Sequence, residues 1–268
     1  MELGLEGRAC AITGASRGIG LATARMLCAE GASVLLVARG AGPLAEAEAA
    51  CRGAARPPAE VASLALDVTD AGAAERIVGE CERRFGKLDA LVNNAGTSQR
   101  RDMDEVPDED WYAAWELNVM APLRAMRAAV PAMVERGWGR IVNVSSSAGK
   151  RPSAQMSEYS VAKAAELSLS RLFADRYASR GVLVNAVCPG PAKSELWMEE
   201  GGLLDQARTG AERTRSEALE AVGSGRPIGR LAEVDEIAAA IAFLCSERAS
   251  YVAGSAWSVD GGTVQVII

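Results

Sequence analysis

Tyr159 and Lys163 stand four positions apart in a stretch whose patterning predicts a helix from Ser157 to Ser179, so their side chains leave one helix face about one turn apart. That pairing can move a proton. A phenol with a pKa near about 10 is a poor acid or base at neutral pH, but a neighbouring ammonium stabilises the phenolate and draws the exchange toward the working range. The 268 residues include no histidine, which excludes Ser-His-Asp and Cys-His nucleophile systems and His-ligated metal centres. Proton transfer must then rest on Tyr, Lys, Asp, Glu or Cys. A lone pair at this spacing is common, and its plainer account is a surface aromatic beside a solvated lysine.

A second cluster supplies context. The apolar run Ala9 to Thr13 leads into Gly14-Ala15-Ser16-Arg17-Gly18-Ile19-Gly20 and then into a predicted helix from Gly18 to Glu30. Glycines at 14, 18 and 20 allow a close backbone approach, and the helix N-terminus offers unpaired N–H groups and a positive dipole to a pyrophosphate. A glycine-rich turn without ligand is the alternative for this motif taken alone.

Together these motifs resemble the short-chain dehydrogenase/reductase family from about Leu5 to Gly262, with a motif order similar to 3-oxoacyl-(acyl carrier protein) reductases. The resemblance implies a Rossmann-type α/β fold, a doubly wound parallel seven-stranded sheet in a three-layer α/β/α sandwich, and hydride transfer between a nicotinamide and a carbonyl or secondary alcohol. It implies four catalytic residues: Asn118, Ser146, Tyr159 and Lys163. Ser146 is chosen because Ser146 to Gly149 fits the family's Ser-x-x-Gly, with Ser145 and Ser147 as close alternatives. Asn118, within Leu117-Asn118-Val119, matches the residue that interrupts a helix and binds a water of the proton relay; a kink residue ahead of Pro122 is its structural alternative.

By the same resemblance, Gly14, Ser16, Arg17, Gly18, Ile19 and Gly20 form the cofactor-binding turn, and Asp67 and Val68 hold the adenine. Asn94, Ala95 and Gly96 of the Asn93-Asn94-Ala95-Gly96 element, Tyr159, Lys163, Pro189 and Gly190 complete the cofactor site. Asp67 can instead cap the helix that follows it, and Asn93 can tie adjacent strands together. NAD-preferring Rossmann proteins place an acid at the end of the second strand. Here that position is Ala38, followed by Arg39, and Arg17 lies in the glycine turn, with no competing carboxylate apparent from the sequence. Two guanidinium groups can grip a 2′-phosphate, so NADP(H) is expected over NAD(H).

The elements that must position these residues follow from periodicity. Short Val/Ile/Leu-rich runs at Ala9 to Thr13, Ser33 to Ala38, Ala62 to Leu66, Ala90 to Asn93, Arg140 to Val144, Val182 to Val187 and Ala256 to Val259 predict seven strands, buried on both faces and connected by helices. Besides the two already placed, helices are predicted at Leu44 to Cys51, Ala73 to Phe85, Asp108 to Arg136 and Glu233 to Cys245. The whole chain is expected to form one domain. From Pro189 to Arg230 no strand pattern occurs, and residues 191–230 are expected to form a substrate loop or lid. Its apolar residues Leu196, Trp197, Met198, Leu203 and Leu204 either face a substrate or dock the segment. Ser153, Gln155 and Met156 are further pocket candidates.

A formal charge of −6 disfavours nucleic-acid and anionic-membrane partners, and no apolar run reaches the roughly 20 residues that span a bilayer. Six cysteines without a Cys-x-x-Cys pair, and no secretory signal pattern, suggest reduced thiols in the cytoplasm. The expected partner is a small-molecule carbonyl or alcohol. The resemblance also implies a homotetramer, packed through the helices beginning at Asp108 and Ser157 and through the region of Asp260-Gly261-Gly262. A non-catalytic NADP(H) sensor is the alternative from another functional class.

Overall fold

The computed structural model describes residues 2–208 and 214–265. Residues 209–213, part of the expected lid, lie outside them. Seven strands form one parallel sheet in the order β3-β2-β1-β4-β5-β6-β7: β1 Ala9–Thr13, β2 Ser33–Ala38, β3 Val61–Ala65, β4 Ala90–Asn93, β5 Gly139–Val144, β6 Val182–Pro189 and β7 Ala256–Val259. The predicted third strand is displaced by one residue, and the sixth extends two residues further to include Pro189.

Alternation along each strand divides the apolar side chains between two cores. Cys10 and Ile12 of β1 and Val34 and Leu36 of β2 face one layer, where they meet α1 (Gly18–Ala29), α2 (Ala41–Ala54) and α11 (Val234–Leu244). Ala11, Leu35 and Val37 face the other, against α3 (Ala73–Phe85), α5 (Ala121–Glu135) and α7 (Ser157–Tyr177). Strands buried on both faces have no solvent side to carry polar residues, which is why they read as near-continuous apolar runs. The sheet order reverses between β1 and β4. In open α/β sheets that reversal leaves a crevice at the strands' carboxyl ends, where ligands bind.

The predicted helix from Asp108 to Arg136 is two helices. α4 (Asp108–Trp115) and α5 are joined by a π-helical turn over Glu116–Met120. Within it the Asn118 side-chain amide donates to the Ala114 carbonyl at 2.9 Å, so a side chain occupies the acceptor one turn back and the ladder widens locally. Pro122 lies in the first turn of α5, directly after the π-helical turn.

Between β6 and α11 the described residues form three helices, α8 (Glu195–Met198), α9 (Leu203–Gln206) and α10 (Arg215–Ser224), and α6 (Ser147–Lys150) follows β5. An isolated parallel bridge pairs Ala192 with Ala232, so the two ends of this segment are tied to each other. Among the described residues, no helix is long and apolar enough to cross a membrane.

Candidate active site

Thr13 ends β1 with its hydroxyl accepting the backbone N–H groups of Asn94 (2.9 Å) and Ala95 (3.0 Å). Asn94 reciprocates, its Nδ2 donating to the carbonyls of Thr13 (2.9 Å) and Gly14 (3.1 Å). The ends of β1 and β4 are thereby locked across the switch point. Gly14 has φ +65°, a left-handed conformation that a side chain would strain. The turn delivers the chain into α1, whose N-cap Arg17 makes no side-chain cap, leaving the first N–H groups of the helix without an intrahelical or side-chain acceptor.

This turn forms one end of a cavity of about 970 Å³. Gly14, Ser16, Arg17, Gly18, Ile19, Arg39, Asp67, Val68, Asn94, Ala95, Gly96, Ser146, Tyr159, Lys163, Pro189 and Gly190 all line it. Gly20 stands behind the turn: a Cβ there would lie 2.5 Å from Asn94 Nδ2 and closer still to the Gly14 carbonyl oxygen. Gly190 has a packing reason beside any ligand, since a Cβ on it would lie 2.8 Å from Asp260 Cα.

Two expectations change here. Arg17 and Arg39 do have carboxylates nearby: Arg17 pairs with Glu199 at 2.5 Å, and Arg39 lies 3.9 Å from Asp67. Glu199 follows α8, a segment that sequence periodicity does not fold onto the glycine turn. Both pairs are largely exposed, so the attraction is screened and either arginine can be drawn to a phosphate. Asp67 does not cap α3, whose N-cap is Gly72. Its carboxylate accepts from the backbone N–H (3.0 Å) and hydroxyl (2.7 Å) of Thr69, and these bonds, with Arg39, hold its pKa below the ordinary value.

At the opposite end, α7 carries Tyr159 and Lys163. The Lys163 ammonium is 5.8 Å from the Tyr159 ring centroid and donates to the Val144 carbonyl at 2.8 Å and to Glu166 Oε2 at 2.9 Å. Burial is the largest influence and acts to depress its pKa, but Glu166, Tyr159 and Cys188 together outweigh it, and the ammonium is held above its ordinary value. A point beside Gly96, where its Cβ would stand, is 3.4 Å from Asn118 Oδ1 and 3.9 Å from Lys163 Nζ. Asn118 Oδ1 is buried without a hydrogen-bond partner. An orphaned acceptor in such a place calls for a donor such as a water or a ligand hydroxyl.

The three serines after β5 are separated by their bonds. Ser145 is buried and spends its proton on the Lys163 carbonyl, 2.9 Å away. Ser146 caps α6, accepting the Ala148 N–H at 3.0 Å, which leaves its own proton for an oxygen in the cavity. Ser147 lies inside α6 and also lines the cavity. Ser153, Met156, Leu196, Trp197 and Leu203 line it too, whereas Gln155 does not: its Oε1 accepts from Arg100. Leu203 and Leu204 are buried, so the apolar cluster after β6 both docks the segment and faces the cavity.

Comparison with known proteins decides the family: the short chain dehydrogenase model matches residues 8–202. The chain belongs to the short chain dehydrogenase family. The 3-oxoacyl-[acyl-carrier-protein] reductase of Thermotoga maritima is 32% identical over 262 residues, covering 97% of this chain and 99% of that protein. Galactitol 2-dehydrogenase (L-tagatose-forming) of Cereibacter sphaeroides is 38% identical, covering 96% and 95%. Among solved structures, L-sorbose reductase from Gluconobacter frateurii, complexed with NADPH and L-sorbose, superposes with a TM-score of 0.92 at 35% identity over 100% of both chains. As a member of this family the protein is an oxidoreductase acting on small molecules at CH–OH or carbonyl groups.

Sequence reasoning missed two residues of this site. Thr13 precedes the glycines and is signalled by its place at the end of a strand. Glu166 lies three residues after Lys163, where helical spacing suggests an exposed ion pair; only tertiary packing makes it a buried one.

Proposed function

We propose that the protein is an NADP(H)-dependent carbonyl reductase that also runs as a secondary-alcohol dehydrogenase. The observation carrying this reading is convergence: one cavity joins the glycine turn and both arginines to Tyr159, the Lys163 ammonium and the uncommitted Ser146 proton. Asn118 Oδ1, the glycine turn at the start of α1 and the cavity volume of about 970 Å³ all suit a dinucleotide. Gly14 to Gly20, Asp67, Val68, Asn94 to Gly96, Pro189 and Gly190 would hold it. When bound, the cofactor supplies or accepts the hydride at its nicotinamide.

The chain's own residues handle charge and protons. Ser146 Oγ donates to the substrate carbonyl oxygen and stabilises the negative charge that grows there. Tyr159 Oη delivers the proton to that oxygen, and the same hydroxyl, deprotonated, accepts it in the reverse direction. Lys163, with two of its N–H donors fixed by Val144 and Glu166, has a third that would bind the nicotinamide ribose, and its charge favours the phenolate. Asn118 Oδ1 anchors the water that reconnects the relay to solvent.

NADPH oxidation followed by absorbance over a panel of small ketones, ketoses and 3-oxoacyl thioesters tests this. The parent protein turns over, and Tyr159→Phe lowers kcat by about 100- to 10,000-fold with NADPH affinity retained. NADPH bound without turnover, unchanged by Tyr159→Phe, would instead favour a sensor. NADPH is expected to bind more tightly than NADH, with Arg39→Ala narrowing the gap; equal affinities in the parent would defeat the cofactor assignment. The L-sorbose reductase complex with NADPH supports the same preference. We assign the whole chain to one domain, with residues 191–230 as its substrate lid, working in the cytoplasm as a homotetramer. Tyr112, Trp115, Val161 and Leu172 are exposed on α4 and α7 and supply an apolar face for that assembly, which light scattering measures.

A further inference from the structure

We propose that Glu166 is a positioning residue for Lys163, the counter-ion that keeps this buried amine protonated and thereby sets the alkaline limit of activity. The proposal rests on the assignment of Lys163 to the proton relay. Lysine buried without a partner sheds its proton readily, because desolvation penalises the charged form. Lys163 and Glu166 side chains are only 3% and 1% exposed, and their charged atoms lie 2.9 Å apart. No other acidic side chain pairs with Lys163 among the described residues. Glu166 does not line the cavity, so whatever it does for the reaction passes through Lys163.

The neighbours of the pair come from every element around it. On α7, Tyr159 lies on the cavity side of Lys163, and Ser170 Oγ donates to the Glu166 backbone carbonyl at 2.7 Å. From β5, Val144 supplies its carbonyl to Lys163, and Ser145 stands beside the pair with its proton donated to the Lys163 backbone carbonyl. From β6 comes Cys188, whose thiol is pushed up to about 11 by burial and stays protonated. Lys150 of α6 donates to the Ala256 carbonyl (2.6 Å) and to Ser258 (3.0 Å) of β7. In the turn after α4, Asn118 carries no charge and Glu116 pairs with Arg124. Glu166 is thus the one carboxylate at hydrogen-bonding distance from the relay amine among the described residues. Burial lifts its own pKa, against the pull of Lys163.

The sign of the effect follows. Removing a negative charge lowers the pKa of every nearby group, so Glu166→Gln makes Lys163 lose its proton earlier as pH rises. Burial raises the carboxyl's own pKa, so parent and variant should converge toward acidic pH, where it is protonated, and separate as pH rises. We expect the alkaline midpoint of kcat/KM to move down by about one pH unit, a tenfold change in proton concentration. Glu166→Asp keeps the charge and should retain the parent midpoint, while a raised KM for NADPH reports the lost 2.9 Å hold.

A second readout needs no turnover. The chain has four lysines, so the Cε resonance of Lys163 can be followed by NMR during titration of the unliganded protein. Earlier deprotonation of Lys163 in Glu166→Gln than in the parent is expected. Superimposable titrations, or pH profiles that fall uniformly without moving, would overturn the proposal and leave Glu166 a packing residue. If Glu166→Gln does not fold, Glu166→Asp carries the test, and parent-like KM for NADPH in that variant would overturn it. A parent without turnover refutes the catalytic assignment instead, and the NMR arm still decides whether the ion pair holds the proton.

Discussion

Replacing Gly20 by alanine is expected to weaken NADPH binding about 30-fold while leaving the protein folded. Gly20 is within α1 and has no unusual backbone angle, so the effect is one of space. Its added methyl would stand 2.5 Å from Asn94 Nδ2, closer still to the Gly14 carbonyl oxygen and 3.0 Å from the Gly14 carbonyl carbon. Carbon atoms do not approach neighbours that closely, so the start of α1 must move off the turn or Asn94 must leave it. Asn94 holds the turn with two bonds, to Thr13 and Gly14, each contributing roughly 0.5–1.5 kcal/mol, and overpacking adds about 1–3 kcal/mol. Alanine's helix preference returns about 1 kcal/mol. A net loss of about 2 kcal/mol falls mainly on the turn, and each 1.4 kcal/mol is about tenfold in affinity. NADPH fluorescence titration reads the affinity and thermal unfolding reads the fold. An unchanged Kd together with an unchanged Tm would show that the turn tolerates the methyl and that Asn94 does not hold it in shape.

The same reasoning predicts the opposite sign at Gly79, which lies inside α3 with nothing within 4 Å of an added Cβ. Gly79→Ala should stabilise by about 0.5–1 kcal/mol, read as a higher urea midpoint; a lower one would show that the helix surface is engaged there. Asn143→Leu should destabilise by about 1–3 kcal/mol, because it orphans the buried amide of Asn93, which donates to Asn143 at 2.8 Å, and removes the 2.8 Å donor to Ser170. Urea denaturation measures this, and an unaltered midpoint would mean that the amides find other partners.

How much of the molecule could be read in advance depended on how local its cause was. All seven strands were legible because a sheet covered on both faces leaves an apolar run with no other physical account. Ala9–Thr13, Ser33–Ala38, Ala90–Asn93 and Ala256–Val259 fall at their predicted limits. The stretch from Asp108 was harder: apolar periodicity passes unbroken through Asn118, and the π-helical turn arises from one amide taking the Ala114 carbonyl. Arg17 and Arg39 read as unopposed cations, since no acid stands beside either in sequence except across a fold boundary. Glu199 reaches Arg17 from 182 residues away, a distance that periodicity does not bridge. In the site, Tyr159, Lys163 and the glycines were legible as spacing, and Ser146 was chosen over Ser145 and Ser147 by the resembled Ser-x-x-Gly pattern, but the physical reason for that choice was not legible. It rests on which hydroxyl proton is already engaged.

The absence of histidine gives the buried Lys163–Glu166 pair its meaning. A chain without imidazole needs another group to exchange protons near neutrality, and a phenol does so only with a permanent positive charge beside it. That charge must be buried to act strongly, because solvent screens an exposed ammonium. Burial in turn pushes lysine toward its neutral form, so the requirement for proximity and the requirement for charge oppose each other. The fold resolves the conflict on α7 and β5: the Val144 carbonyl and the Glu166 carboxylate hold two donors of Lys163 from behind, while the third is left for the cavity. Glu166 in isolation would be a costly buried acid, and burial alone would push Lys163 toward a neutral amine; each favours the charged form of the other.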